Sequence, residues 1–155
     1  MIRWIVTLLG IAAAVAQAQQ YTGPQPEKPD LPYLKHANVL VATEPVEIKE
    51  TKTANDVAYS VEGEASPSKT PLALPVFLIR AEKLDPAHLQ IFRLEVKDGH
   101  REMTLSGRKQ AGLIHVQVVK VQGSLFRMEV ADDLETGEYV LSLDGTDRGF
   151  CFEIK

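Results

Sequence analysis

Across residues 76–155 apolar side chains recur at every second position, in short runs separated by turn-forming residues, and no other feature of the chain constrains its fold so strongly. Alternate residues of an extended strand point to opposite faces, so these runs read as strands with one buried face. Val76 to Ala81 is apolar on both faces except at Arg80, as in a central strand. Gln90 to Val96 puts Phe92, Leu94 and Val96 inward, with Ile91, Arg93 and Glu95 on the other face. Asp98-Gly99 favours a tight hairpin, and Arg101 to Leu105 returns as a polar edge strand before a loop at Ser106 to Gly112. Ile114, Val116 and Val118 alternate, then Val119 and Val121 change phase, which predicts a bulge near Val118-Val119. Phe126, Met128 and Val130, then Tyr139, Leu141 and Leu143, then Phe150, Phe152 and Ile154 complete the inward set. Seven such strands suffice for two packed antiparallel sheets.

The joint Leu134-Glu135-Thr136-Gly137-Glu138-Tyr139 belongs to neither neighbouring strand. Gly137 permits a backbone turn that a Cβ would resist, and Tyr139 opens the next strand with its ring inward. Leu-x-x-Gly-x-Tyr before a short alternating strand resembles the tyrosine corner of immunoglobulin-like and fibronectin type III sandwiches. The resemblance implies an all-β fold, an immunoglobulin-like antiparallel β-sandwich of about seven strands, with Leu134, Gly137 and Tyr139 as its structural corner. The phenol oxygen is then expected to bond to backbone a few residues upstream. A second resemblance spans most of the chain. Residues Lys28 to Leu34, Ser66-Pro67, Thr70 to Ala73, Gly137 to Tyr139 and Phe150 to Phe152 look like those of a group of small secreted bacterial proteins of no assigned function. That group lends no catalytic residues.

Upstream of the strands the composition changes twice. Arg3 precedes the apolar run Trp4 to Val15, and small residues at Ala14, Ala16 and Ala18 suit a signal peptidase cutting after Ala16 or Ala18. The run is short of the roughly 20 apolar residues that span a bilayer, so no membrane anchor is expected after cleavage. Residues 1–18 are thus read as a signal peptide and the mature chain as extracytoplasmic, periplasmic or secreted. Pro24, Pro26, Pro29 and Pro32 make 19–37 an extended, Pro-rich tether, although Tyr33 and Leu34 have the character to dock on the sandwich. Residues 38–62 read as an extra N-terminal β-hairpin turning at Ala54-Asn55-Asp56, and 63–75 as a Pro-rich crossover with Leu72 and Leu74 pinned to the core. Residues 76–155 form the sandwich core, in which Leu84 to His88 is a tight turn or one helical turn capped by Asp85.

Several function classes fall away on composition. The formal charge of −4 comes without a Lys/Arg run, which argues against a nucleic-acid surface. Cys151 is the single cysteine, so no intrachain disulfide forms. It lies out of phase with Phe150 and Phe152, as a buried inert thiol or as a free thiol able to link two chains. His36, His88, His100 and His115 lack zinc-site spacing, and neither a Gly-x-Ser-x-Gly elbow nor a phosphate loop is present, so no metal or cofactor is expected. With Leu105 paired to Leu113, even His100 and His115 are not neighbours. Asp144 to Asp147 lacks the later bidentate carboxylate of a calcium loop. Asp132-Asp133, and Asp85 near Glu82, read as turn chemistry and not as the two walls of a glycosidase. The expectation is a non-enzymatic protein-binding or structural module that contacts an envelope or secreted protein through a surface including Ile91, Arg101 and Val140. A small secreted hydrolase or carbohydrate-binding protein is the alternative. The sequence does not address oligomeric state.

Overall fold

The computed structural model describes residues 19–106 and 113–155. The expected signal peptide and most of the loop expected at Ser106 to Gly112 lie outside the described residues. Among the described residues fourteen strands follow in chain order: β1 (Tyr33–His36), β2 (Val39–Ala42), β3 (Glu44–Glu47), β4 (Lys49–Lys52), β5 (Asp56–Glu62), β6 (Lys69–Thr70), β7 (Val76–Arg80), β8 (Leu89–Lys97), β9 (His100–Ser106), β10 (Leu113–Ile114), β11 (Val116–Gln122), β12 (Leu125–Val130), β13 (Gly137–Leu143) and β14 (Arg148–Ile154). The fold is all-β and its pairs are antiparallel, except that β6 runs parallel to β14. One 3-10 turn, Pro86–His88, precedes β8, and the Asp85 carboxylate caps it by accepting from the Ala87 N–H at 3.0 Å.

A five-stranded sheet, in the order β11-β12-β7-β1-β2, faces the strands β8, β13 and β14 of a larger sheet. Between them lies a core of Phe77, Ile79, Ile91, Met128, Leu141, Phe150 and Phe152. Phe152 meets Phe77 edge-on at 5.1 Å and stacks with Tyr139 at 5.5 Å. Each such side chain withdrawn from water stabilises the fold by about 1.5–3 kcal/mol. Phe126, Met128 and Val130, the alternate residues of β13, and Phe150, Phe152 and Ile154 all serve this core, as their periodicity predicts.

The larger sheet runs β3-β14-β13-β8-β9-β5-β4. Only Ile48 separates β3 from β4, so residues 44–52 act as one strand that pairs with β14 on one side and β5 on the other. This strand joins both edges of the sheet and closes it into a ring. The inward parity is continuous: Glu44, Val46, Ile48 and Glu50 from the closing strand meet Tyr59 and Val61, Arg101 and Met103, Phe92 and Leu94, Glu138 and Val140, and Cys151. Consequently β8, β13 and β14 are covered on both faces, by the sandwich core and by the ring's interior.

Several expectations are corrected. The Pro-rich segment is not a free tether, because Tyr33–His36 is a strand inside the five-stranded sheet, between β2 and β7. Its prolines cross the outer face of that sheet: Arg80 donates to the Pro26 and Glu27 carbonyls, and the Lys28 N–H donates to the Tyr33 hydroxyl. Asp30 locks the crossing by accepting from the N–H groups of Glu82, Lys83 and Leu84. Within 38–62 only β4 and β5 form a hairpin, while β2 pairs with β1 and β3 with β14. Leu72 and Leu74 are 43% and 49% exposed, and the crossover is pinned instead by the buried Ser66, Ser68 and Thr70.

The strand β9 is no edge, since β5 pairs along its whole length and β8 along its start. Its hairpin with β8 does turn at Asp98-Gly99, both at positive φ as a two-residue turn of that hand requires. Val96, expected inward, is exposed. Leu105 pairs with Val57 and not Leu113, which lies against Phe92. The phase change in β11 is absorbed between Lys120 and Gln122, beyond Val118-Val119, where the register is regular.

Candidate functional site

The ring's two ends differ in chemistry. At the end where β13 begins, the fully buried Arg101 guanidinium spans the interior. Its Nη1 donates to Glu44 Oε2 at 2.9 Å and Glu138 Oε2 at 3.4 Å, its Nη2 to Glu44 Oε1 at 3.3 Å and the Glu62 carbonyl at 2.8 Å, and its Nε to the Gly63 carbonyl at 3.1 Å. A planar fork with five N–H donors can satisfy such a set, which an ammonium cannot. The Ser66 N–H reaches both oxygens of Glu138. Burial raises the pKa of Glu138 despite that bond and the nearby guanidinium. Burial works against the charge on Arg101, but its hydrogen bonds to Glu44 and the nearby negative charge of Glu44 and Glu138 together hold the pKa above its ordinary value.

Toward the opposite end β9 leaves β8 after the Glu95–Glu102 pair, and the short β10 pairs with β8 at Ile91 and Phe92. The wall parts, and the interior opens as a cup of about 460 Å³. Ile48, Val61, Phe92, Leu94, Met103 and Val140 make its apolar floor. Tyr59, Gln90 and Ser142 add polar atoms to the wall, and Glu50 with the turn Asp144 to Asp147 forms the rim. Gly145 (φ 73°) lets this turn close, and the Thr146 hydroxyl donates to the Leu143 carbonyl. The turn also holds the closing strand, because the Ile48 N–H donates to the Asp147 carbonyl at 2.7 Å. An apolar concavity with a few polar groups at its mouth is the usual form of a small-molecule site.

The residues expected at a contact surface are buried, and of the three only Val140 lines the cup. Ile91 and Arg101 are 0% exposed and Val140 is 1% exposed. Ile91 is buried because the second face of β8 meets the five-stranded sheet, and Val140 because the second face of β13 lines the ring. Arg101 is buried because Glu44 and Glu138 neutralise it there. Cys151 is a free, buried thiol beside this ion cluster, and burial pushes its pKa up to about 12. It is no surface thiol. At the joint expected to form a corner, the Tyr139 hydroxyl donates to the Glu135 carbonyl at 2.8 Å and the Leu134 N–H to the Ala73 carbonyl.

The histidines are dispersed. His36 Nε2 lies 2.7 Å from the buried Thr70 hydroxyl, His88 is exposed beside Asp85, His100 Nε2 lies 3.0 Å from Glu102, and His115 is exposed between β10 and β11. The hydrogen bond to Glu102 raises the pKa of His100. Among the described residues no group of three or more His, Cys, Asp or Glu is placed to hold a metal ion. Asp132 and Asp133 are exposed, and Asp85 serves its cap. The cup residues Ile48, Glu50, Tyr59 and Met103 were not singled out from sequence. Their signal is the even-numbered alternation Glu44, Val46, Ile48, Glu50, which runs on across two strands with different partners. Comparison of the chain with protein-family models, with curated proteins and with solved structures gives no match.

Proposed function

We propose that this protein is a non-enzymatic extracytoplasmic binding module built on an immunoglobulin-like sandwich, and that the cup is its binding site. The strand order supports the finer fold. With β1, β7, β12 and β11 as strands A, B, E and D, and β14, β13, β8 and β9 as G, F, C and C′, the two sheets follow the sandwich order, and the tyrosine corner falls between E and F where that fold carries it. The extracytoplasmic placement rests on the N-terminal sequence.

The observation that carries the binding reading is the open cup in a ring otherwise filled by side chains. Ile48, Tyr59 and Met103 remain only half-buried because they face it. Among the described residues no nucleophile paired with a base lines it, which favours binding over turnover. The test uses an uncharged environment-sensitive dye, phenylnaphthylamine, whose emission rises in an apolar cavity. Saturable enhancement is expected, and Met103→Trp, which fills the cup, is expected to abolish it while the melting transition persists. Unsaturable enhancement, or enhancement untouched by Met103→Trp, would overturn the assignment.

A further inference from the structure

We infer that the cup selects a small amphiphilic amine, with an alkyl or aryl group on the apolar floor and a protonated nitrogen at the rim beside Asp144 and Asp147. This rests on the reading of the cup as a binding site. Three acidic residues line it, Glu50, Asp144 and Asp147, and no Lys or Arg does among the described residues. Glu50 is already engaged by Lys52 at 2.7 Å. The remaining two stand at the start and end of one tight turn, closed by the Thr146 N–H bond to the Leu143 carbonyl at 3.2 Å, so both flank the same side of the mouth.

The division of labour follows from what each part can supply. The floor, contributed by β5, β8, β9, β13 and the closing strand, gains by removing apolar surface from water and does not distinguish an amine from an alcohol of the same chain. The rim distinguishes them by charge. Each exposed carboxylate gives a cation only modest help, but two act on one nitrogen whose position the buried tail fixes. An anion meets the same pair as repulsion. The formal charge of −4 on the chain also favours the approach of cations. Ser142 and Gln90 on the wall offer oxygen acceptors to the ammonium hydrogens.

The test is competition by octylamine, octanol and octanoate against the uncharged dye, on the full mature protein at neutral pH. Octylamine is expected to displace the dye roughly fivefold more effectively than octanol, with octanoate weakest, and the preference is expected to shrink in about 1 M salt. In the variant carrying Asp144→Asn and Asp147→Asn the amine and the alcohol are expected to converge. Equal displacement by amine and alcohol in the wild type, or a preference that survives the double variant, overturns the selectivity while leaving the cup a binding site. Failure of all three probes to displace a saturably bound dye overturns the selectivity too, by showing that alkyl chains do not enter. A dye that never binds saturably overturns the site itself.

Discussion

Arg101→Met tests whether the ion cluster at the closed end of the ring holds the fold together. The guanidinium donates to two carboxylates and two backbone carbonyls, and Met replaces its aliphatic bulk without any of those donors. Removing one partner of a buried ion pair typically costs about 3–5 kcal/mol, since the remaining charge stays desolvated and unpaired. Glu44 retains 24% side-chain exposure and can recover some hydration, whereas Glu138 at 6% cannot, which places the expectation near about 3 kcal/mol. Set against a typical domain stability of about 5–15 kcal/mol, this is a large fraction. Urea unfolding reads it as a midpoint lowered by about 1–3 M at an unchanged slope. Glu138→Gln in the same background removes the stranded charge and should recover part of the loss, so a double-mutant cycle gives a clear coupling energy. The single variant Glu138→Gln makes the pH behaviour explicit. The folded pKa of Glu138 is raised, so the folded state holds its proton more tightly than the unfolded chain. Stability is therefore lost as pH rises from the ordinary Glu value through the raised one, and Glu138→Gln should flatten that slope. A midpoint for Arg101→Met within about 0.3 M of wild type, at unchanged slope, would refute the argument.

Two further outcomes are expected. Tyr139→Phe deletes the hydroxyl that donates to the Glu135 carbonyl but keeps the ring against Phe152, and should cost about 1 kcal/mol in thermal or urea unfolding. A loss below about 0.3 kcal/mol would show that the corner bond does not hold the joint. Cys151, with its pKa pushed up to about 12 inside the ring, should resist maleimide in the native protein at mildly alkaline pH and react fully in urea. Rapid native labelling would mean that the ring's interior opens far more often than its packing implies.

The sandwich half of this fold was legible because its strands carry one dominant apolar phase. Met128 and Val130, Tyr139 and Leu141, and Phe150 and Phe152 were each assigned inward by parity alone, and each lies in the core between the sheets. The ring half was not legible for the same reason. Where β8 and β13 are apolar in both phases, parity does not say which face is buried, and Ile91 and Val140 were given to solvent. A charged residue such as Arg101 looks like an edge guard until Glu44 and Glu138, 57 and 37 residues away, are brought against it. The proline spacing predicts an extended tether over 19–37, yet Pro32 stands just outside the pairing and leaves β1 intact. The cup itself is a product of closure, and closure is a property of strand order that periodicity does not encode.

The strand formed by residues 44–52 has a further consequence, in time. Its partner on one side is β14, with Glu44 opposite Cys151, roughly a hundred residues further along the chain. Loop closure over such a distance must precede any reward from the contacts it makes, and topologies dominated by distant pairings fold on the slow, millisecond-to-second end of the scale. Until β14 is available to pair, β3 is an open edge. An assembling chain therefore spends its most adhesive interval just before completion, and crowding or delay at that step favours intermolecular strand pairing over ring closure.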